Sequence, residues 1–328
     1  MSPRQAASVL VYVGCDLVGD GMMKLPFVRA LRAAFPGARI TWLTGRGTSV
    51  YAGSLAPLVA GLLDEVVAED VGDFAARQRL AGQRFEIIID TQRGLPTTLK
   101  LRSIPHRRFI SATLGYLLSS EHPRHRFRKI PSLASQLLEL AALAAGRTVD
   151  PSLIGRPNLP AEIEAEAARL LPQGATYVGL APGAGGRQKC WPLENYLEVG
   201  RRLLAAGYIP AVLLGPGEAG WGSAVADALP RARLPLQDAV ALSPLLTVAL
   251  GRHMRAAVAN DSGAGHMLAA ADVPMVSLFG PTSPAKFAPV TCRLIVLRAQ
   301  DFGGSAMAAI PVEAVWDGVA TLLHGKPA

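Results

Sequence analysis

The chain has few of the residues that stabilise small secreted domains or build metal sites. Its 328 residues include three cysteines, Cys15, Cys190 and Cys292, which are scattered and form no CxxC pair. This pattern argues against a disulfide framework and against a structural zinc site. No apolar run approaches the roughly 18 residues that a membrane-spanning helix needs, and no hydrophobic leader with a cleavage site is visible at the start. We therefore expect a soluble protein of the cytoplasm.

Acidic residues are nearly missing from one basic stretch in the first half of the chain. Between Arg93 and Lys129, nine Lys or Arg stand against one acid, Glu121, and this excess equals the whole net charge of +8. Such a patch attracts the phosphates of an anionic substrate or a lipid surface, or it is a solvated face without a partner. Few aromatic side chains interleave with the charges, which disfavours nucleic acid. The candidate anion-binding residues are Arg93, Arg107, Arg108, Arg124, Arg126, Arg128 and Lys129.

Alternating apolar runs and helix-like segments predict the fold class. The chain is 50% hydrophobic and 18% charged, as is typical of a globular protein, and its length suits two domains of roughly 150 residues. Strand-like runs cover residues 8–13, 38–43, 64–69 and 85–90, and then 176–182, 209–215, 256–260, 274–280 and 293–299. Continuous apolar runs separated by helices indicate parallel sheets covered on both faces. We expect an α/β protein with two doubly wound domains that face each other across a cleft.

A proline-rich stretch marks the boundary between the two predicted domains. A helix-like segment at 132–146 is followed by residues 148–160, which contain three prolines and no periodicity. Near the end of the chain, apolar residues between Pro311 and Gly325 fall on one helical face. The predicted division is an N-terminal domain at 1–155, a C-terminal domain at 156–310 and a final helix at 311–328.

The loop after the first strand of the second domain has the composition of an anion site. Ligands of doubly wound sheets bind at the carboxyl ends of the strands, where this loop begins. Gly183, Gly185 and Gly186 allow backbone N–H groups to approach a ligand, while Arg187 and Lys189 supply positive charge. The spacing does not match a Walker loop, GxxxxGK[ST]. An ordinary turn between strand and helix is the alternative interpretation.

A second candidate site follows the strand-like run that ends at Asn260. Small residues in the sequence NDSGAGH open a helix whose free N–H groups and positive dipole end suit a phosphate. Asp261 or Ser262 can cap this helix and touch the ligand as well. His266 either contacts the ligand or is structural. The strand-ending loop LFGPTSP at 278–284 is weaker evidence for a wall of the same cleft.

The loop after the opening strand, GCDLVGDGMMKLP at residues 14–26, has an aspartate between two glycines. Gly14, Gly19 and Gly21 do not follow the G-x-G-x-x-G spacing, which disfavours a dinucleotide-binding dehydrogenase. Asp20 either caps the helix that follows or acts as a general base, a role that needs a free carboxylate oxygen within reach of an acceptor hydroxyl. The residues alone leave both interpretations open.

Three of these segments are shared with a known family. They are VGDGMMKLP at 18–26, PGAGGRQKCWPLENYLEVGRRL at 182–203 and NDSGAGHMLAAADVPMVSLFGPTSP at 260–284. Together they resemble glycosyltransferase family 9, the ADP-heptose lipopolysaccharide heptosyltransferases. The resemblance implies a GT-B fold, with the acceptor on the N-terminal domain and the sugar nucleotide on the C-terminal domain. It also implies a final helix that packs back on the N-terminal domain.

The resemblance further implies roles for individual residues. Asp20 matches the aspartate of a GD motif that acts as catalytic base, and Lys189 matches a lysine that binds the donor phosphates and the departing charge. The expected donor-binding residues are Gly183, Gly185, Gly186, Arg187, Glu218, Asp261, Ser262, Gly263 and His266. The chain departs from the family pattern at residues 14–16, where a basic residue is common, and at Cys190, which precedes Trp-Pro.

The implied reaction is one displacement with inversion, in which Asp20 takes a proton from an acceptor hydroxyl and ADP departs. The chain contains no DxD motif, so we expect neither a metal ion nor another cofactor. The implied partners are a nucleotide sugar and a phosphorylated glycolipid acceptor, with peripheral contact to the anionic inner face of the inner membrane. Two other classes stay open: another GT-B sugar-nucleotide enzyme, such as an epimerase, and a non-catalytic relic that binds nucleotide or glycolipid.

Overall fold

Buried apolar strands form two parallel sheets, one in each half of the chain. In the computed structural model, the chain divides into the units Met1–Ile154 and Gly155–Ala328. The structure describes residues 6–45, 48–68, 80, 82–125, 130–149 and 156–324. Within these residues each unit has five strands, and the strands of each sheet pair in parallel. The predicted α/β class with two doubly wound sheets is confirmed.

The first sheet begins with the opening apolar run. Its strands are β1 (Ser8–Val13), β2 (Arg39–Thr44), β3 (Glu65–Val67), β4 (Phe85–Asp90) and β5 (His106–Ser111). The helices described in this unit are α1 (Val18–Ala34), α2 (Ala56–Val59), α3 (Leu95–Arg102) and α4 (Leu133–Ala145). The strand order is β3-β2-β1-β4-β5. Strands β1 and β4 are buried along nearly their whole length, as is typical of strands covered on both faces.

The apolar pattern does not predict strand β5, which lies at the edge of the described sheet. Its first three residues, His106, Arg107 and Arg108, are polar and stay at least partly exposed, whereas Phe109 and Ile110 are buried. The strand pairs with β4 along its length because its backbone completes the ladder. Part of the basic stretch is therefore an edge strand.

A serine cap and a left-handed glycine set the two ends of helix α4. Ser132 precedes the helix, and its hydroxyl accepts a hydrogen bond from the backbone N–H of Ser135. Gly146 follows the helix with φ 68°, a left-handed conformation that glycine adopts without a Cβ clash. Between these ends, the buried face of α4 packs against α1.

The second sheet consists of β6 (Tyr177–Ala181), β7 (Ile209–Val212), β8 (Met254–Asn260), β9 (Met275–Phe279) and β10 (Leu294–Arg298). The helices of this unit are α5 (Ala161–Leu170), α6 (Leu193–Ala205), α7 (Gly222–Ala228), α8 (Pro244–Gly251), α9 (Gly263–Ala270), α10 (Pro284–Phe287) and α11 (Val312–His324). The strand order is β10-β9-β8-β6-β7. The carboxyl ends of β6, β8 and β9 therefore lie side by side at one edge of the sheet.

The final helix packs on the sheet of its own unit. Val315 and Val319 of α11 are completely buried, and with Leu322 they join the same apolar cluster as Val258 of β8 and Val276 of β9. This apolar stripe covers strands β8, β9 and β10. The expectation that the helix also packs back on the N-terminal domain stays a prediction.

Some predicted features fall outside the described residues. Arg126, Arg128 and Lys129 of the basic stretch belong to this group, as do residues 150–155 of the predicted linker. The described end of that linker, residues 156–160, forms neither helix nor strand. Among the helices that the structure describes, none combines the length and the apolar character needed to cross a lipid bilayer.

A buried carboxylate joins the ends of β4 and β5. Asp90 is completely buried, and its oxygens accept hydrogen bonds from the hydroxyls of Thr98 (2.6 Å) and Ser111 (2.9 Å) and from the N–H of Gln92 (2.9 Å). The hydroxyls of Thr98 and Thr113 lie 2.7 Å apart and extend this cluster. Burial raises the pKa of the Asp90 carboxyl, while its three hydrogen bonds oppose the rise. The cluster holds α3 and the segment after β5 at the carboxyl edge of the sheet.

The pH dependence of stability tests this cluster. The folded state holds the Asp90 proton more tightly than the unfolded chain, in which the pKa of an aspartate is about 3.9. The unfolding free energy therefore falls as the pH rises from that value through the raised pKa of the folded state. The variant Asp90→Asn lacks this fall, so its unfolding free energy relative to the wild type grows with pH across that window. Urea unfolding at a series of pH values measures the difference.

A matched variant, Thr98→Val, removes a hydrogen bond that lowers the pKa of Asp90. We expect the fall in unfolding free energy to extend to higher pH in this variant. The account is contradicted if the unfolding free energy of Asp90→Asn minus that of the wild type decreases as the pH rises.

Candidate functional site

Three loops of the second unit meet at one ion pair on the carboxyl edge of the sheet. Asp261 follows β8 directly, Thr282 lies in the loop after β9, and Lys189 lies in the loop between β6 and α6. The carboxylate of Asp261 is buried and accepts hydrogen bonds from Lys189 Nζ (3.0 Å) and Thr282 Oγ1 (2.7 Å). Lys189 is only partly buried, so its ammonium group stays accessible to a ligand from solvent.

One buried amide fastens the loop between β6 and α6 to strand β8. Asn260, the last residue of β8, donates from Nδ2 to the carbonyl of Pro182 at 2.7 Å. Its Oδ1 accepts hydrogen bonds from the N–H of Trp191 and the hydroxyl of Tyr196, both at 3.1 Å. Burial raises the pKa of the Tyr196 hydroxyl well above its usual value, so the group remains a donor at neutral pH. Both ends of the loop are therefore held by the same side chain.

At two positions of the glycine loop, residues 182–190, a Cβ would force a nearby side chain to move. A Cβ on Gly183 would lie 2.6 Å from the carboxylate oxygens of Glu218. A Cβ on Gly186 would lie 2.7 Å from the amide oxygen of Gln188. Glu218 comes from the segment after β7, so the structure brings this carboxylate against the start of the loop.

The outer part of the glycine loop is open. Nothing lies within 4 Å of the Cβ position of Gly185, and Arg187 is exposed. At the end of the loop, the Cys190 thiol points toward the carbonyl of Gly186 at 3.7 Å. Burial raises the pKa of this thiol; the Glu218 charge acts in the same direction, and the Arg187 charge opposes it. Cys190 is therefore a neutral thiol at neutral pH.

Helix α9 begins beside the ion pair. Ser262 is its N-cap, and the Ser262 hydroxyl accepts a hydrogen bond from the N–H of Gly265 at 3.3 Å. The sequence predicted that Asp261 or Ser262 caps this helix. The cap is Ser262, and Asp261 forms the ion pair with Lys189. Gly263 is the first helical residue, and His266 is buried within the helix. Within the described residues, no group of three or more His, Cys, Asp or Glu is arranged to hold a metal ion.

Two aspartates of the first unit lie four residues apart but have different surroundings. Asp16 is buried and forms an ion pair with Lys24, and its other oxygen accepts hydrogen bonds from Trp42 Nε1 (2.8 Å) and Ser49 Oγ (2.9 Å). Lys24 also donates to the carbonyl of Cys15 at 3.0 Å. These contacts fix the turn between β1 and α1, because separating a buried ion pair costs several kcal/mol.

Asp20 lies in the first turn of α1 and is partly exposed. The N-cap is Leu17, and no side chain caps this helix, so the capping interpretation of Asp20 is wrong. Its carboxylate makes no hydrogen bond or ion pair with another residue in the described part of the chain. As far as the described residues go, both oxygens of Asp20 are therefore available to accept a proton or a hydrogen bond.

The described members of the predicted anion-binding set fall into two groups. Arg93, Arg107 and Arg124 are exposed. Arg108 instead donates to two carbonyls at the end of α4, at 3.2 and 2.9 Å, and its Nε lies 3.6 Å from an oxygen of Glu121. The guanidinium of Arg108 therefore joins β5 to α4. The expectation that it belongs to a free anion-binding surface is corrected accordingly.

Sequence reasoning did not identify three residues that organise these edges, Asn260, Thr282 and Asp16. A polar residue at the end of an apolar strand is a usable signal for Asn260, since a buried amide needs hydrogen-bond partners. Thr282 lies in a loop that the sequence marked as weak evidence, and Asp16 was noted only as a departure from a family pattern. Their partners are distant in sequence and become visible only in the fold.

The profile of glycosyltransferase family 9 (heptosyltransferase) matches residues 74–307. Lipooligosaccharide heptosyltransferase 2 of Haemophilus influenzae is 25% identical, and the aligned region covers 88% of this chain and 88% of that protein.

Solved structures show the same fold. A glycosyl transferase family 9 protein from Veillonella parvula superposes with a TM-score of 0.73 at 20% identity, covering 97% of each chain. An Escherichia coli heptosyltransferase with ADP gives a TM-score of 0.70 at 18% identity, covering 96% of this chain and 99% of that one. The predicted GT-B fold is confirmed by these similarities.

Replacing Asn260 with Leu, a side chain of similar size, tests its role in the second unit. The buried Pro182 carbonyl and Trp191 N–H would lose their partner, so we expect a loss on the order of 3 kcal/mol of unfolding free energy. The matched variant Tyr196→Phe removes only the hydroxyl that donates to Asn260 Oδ1 and should cost about 1 kcal/mol. Denaturant unfolding measures both, and equal losses would contradict the role given to Asn260.

Proposed function

The chain belongs to glycosyltransferase family 9, and from this membership we propose that it transfers a heptose from ADP-heptose to a lipopolysaccharide inner-core or related glycan acceptor. The observation that supports this most directly is the contact of Lys189 with Asp261, whose carboxylate also accepts a hydrogen bond from Thr282. A nucleoside diphosphate requires positive charge and backbone N–H groups at its phosphates. The Haemophilus relative is a lipooligosaccharide heptosyltransferase, and an E. coli protein of the same fold holds ADP.

The proposed donor site uses the carboxyl edge of the second sheet. The phosphates are bound by Lys189, by Arg187 and by N–H groups of Gly183, Gly185, Gly186, Ser262 and Gly263. Glu218 stands against the start of the loop, where its carboxylate accepts hydrogen bonds from the ribose hydroxyls. His266, buried in α9 next to this edge, is a proposed further contact to the donor.

The ion pair prepares the site before the donor arrives. Asp261, which also accepts a hydrogen bond from Thr282, holds the Lys189 ammonium in one position. Asn260 holds the backbone at the start of the loop and just after it. A cation fixed in this way needs little reorganisation when negative charge develops on the leaving group. The proposed role of Lys189 therefore depends on Asp261 as its positioning partner.

Asp20 is the proposed catalytic base. Its carboxylate has no partner among the residues that the structure describes, whereas the carboxylate of Asp16 accepts hydrogen bonds from three donors. Asp20 takes the proton of the acceptor hydroxyl as the hydroxyl oxygen forms a bond to the anomeric carbon. The bond from that carbon to the β-phosphate oxygen breaks on the opposite side, and ADP leaves with the electron pair. One such displacement inverts the configuration of the sugar.

Charge on the departing ADP is neutralised by the protein in this proposal. Lys189, Arg187 and the N–H groups of the glycine loop and of helix α9 supply the positive potential, with no metal ion or other cofactor. The acceptor phosphates are bound by exposed cations of the first unit, Arg93, Arg107 and Arg124. We propose that the enzyme works in the cytoplasm, peripheral to the inner face of the inner membrane.

The variant Asp20→Asn tests the base. We expect transfer from ADP-heptose to a core acceptor to slow by about 10²- to 10⁴-fold, because the amide cannot accept the proton. The affinity for ADP and the midpoint of thermal unfolding should stay close to those of the wild type. Product formation followed by mass spectrometry and calorimetric titration with ADP give these quantities.

The neighbouring variant Asp16→Asn is the control. It leaves Lys24 buried without its counter-charge, so its main effect should be a lower unfolding temperature. If Asp20→Asn retained wild-type turnover, or if it bound ADP much more weakly, the proposed role of Asp20 would be rejected.

A further inference from the structure

Four leucine side chains that follow strands β4 and β5 of the first unit face solvent at the carboxyl edge of its sheet. Leu95 and Leu99 on α3 are 40% and 53% exposed, and Leu114 and Leu117 in the segment after β5 are 58% and 69% exposed. Single exposed apolar residues need no explanation, but a group of them at one edge marks an interaction surface. We refer to these four residues as the leucine face.

Hydrogen bonds bring the two pairs of leucines together. Leu95 and Leu99 are one helical turn apart and lie on the same side of α3. The segment after β5 is fastened to α3 at both ends, by the 2.7 Å contact of Thr98 with Thr113 and by a hydrogen bond from Arg102 to the carbonyl of Leu118. Leu114 and Leu117 lie between these two attachments. The four side chains therefore belong to one surface.

The backbone that presents this surface is strained. Leu114, Gly115 and Tyr116 follow one another in the left-handed region, with φ values of 52°, 64° and 68°. Non-glycine residues in this region cost on the order of 1 kcal/mol or more each, and persist only where their surroundings hold them. Here the Tyr116 hydroxyl donates to Glu139 at 2.6 Å. The fold thus holds Leu114 and Leu117 outward at a cost in stability.

The exposed charged residues in the sequence around the leucine face are basic, and Glu139, which accepts the Tyr116 hydrogen bond, is partly buried. In the described part of 91–125, the exposed charged residues are Arg93, Lys100, Arg102, Arg107 and Arg124. The single acid of that range, Glu121, lies 3.6 Å from Arg108 and is partly buried. An apolar surface surrounded by cations matches the interface of a bilayer with anionic headgroups, where side chains such as Leu enter the acyl boundary and cations contact phosphates.

We propose that the leucine face inserts into the interfacial layer of an anionic phospholipid bilayer, with the surrounding cations on the lipid phosphates. The inference rests on the peripheral membrane contact included in the proposed function and deepens it, because it assigns the contact to apolar insertion as well as to charge. It places the acceptor-binding unit of the enzyme at the surface where a lipid-linked acceptor is found.

Vesicle binding tests the inference on the full chain. We expect the wild type to co-sediment with vesicles of phosphatidylethanolamine and phosphatidylglycerol and to bind phosphatidylcholine vesicles weakly. The double variant Leu99→Ser/Leu117→Ser should bind the anionic vesicles roughly tenfold or more weakly, because it loses apolar area that enters the bilayer. The matched control Val240→Ser/Leu242→Ser removes exposed apolar residues of the second unit, 88% and 54% exposed, and should bind like the wild type.

Insertion itself is measured with a reporter. Trp emission of the variant Leu117→Trp should shift to shorter wavelength when anionic vesicles are added, whereas that of Leu242→Trp should not shift. Equal vesicle binding by the two double variants, or no shift for Leu117→Trp, overturns the inference. A wild type that fails to bind anionic vesicles also overturns it.

Two further measurements separate this inference from the proposed function. ADP affinity and heptose transfer to a water-soluble acceptor without acyl chains should be the same in Leu99→Ser/Leu117→Ser and in the wild type. If no form of the protein transfers heptose, the proposed function fails, while the vesicle measurements still decide the role of the leucine face. Loss of ADP binding in the leucine variant would show a folding defect and would overturn insertion as the cause of weaker vesicle binding.

Discussion

The candidate donor site depends on one buried amide. Asn260 both donates and accepts hydrogen bonds, to Pro182 and from Trp191 and Tyr196, and a carboxylate or an aliphatic side chain cannot do both. Because this amide fastens both ends of the glycine loop to β8, Lys189 meets the residue that follows Asn260 in the chain. The position of the loop backbone therefore sets the ion pair between Lys189 and Asp261, which supplies the charge of the site.

Four aspartates of this chain have different roles because their surroundings differ. Asp16 is buried and paired, so it stabilises a turn. Asp90 is buried among hydroxyls, and burial raises the pKa of its carboxyl. Asp261 holds a lysine beside the glycine loop. Asp20 has no partner in the described part of the chain, which is the condition that a general base requires.

The sequence predicted the strands with continuous apolar runs, because such runs are typical of strands covered on both faces. It did not predict β5, whose first three residues are polar. The family resemblance was confirmed, and the glycine loop and the start of α9 were found from composition. The links made by Asn260 and Asp16 were not found, since their partners lie up to 78 and 33 residues away. The covering of β8 and β9 by the final helix depends on tertiary packing, which periodicity alone does not specify.

The central claim is that the second unit binds ADP through Lys189 without a metal ion. Calorimetric titration of the wild type with ADP, UDP and GDP, with and without EDTA, tests it most directly when Lys189→Met and the exposed-lysine control Lys100→Met are measured alongside. The account predicts saturable binding of ADP in preference to UDP and GDP, unchanged by EDTA, strongly weakened in Lys189→Met and retained in Lys100→Met. Preference for UDP or GDP, loss of binding with EDTA, or equal affinity of the two variants would contradict it.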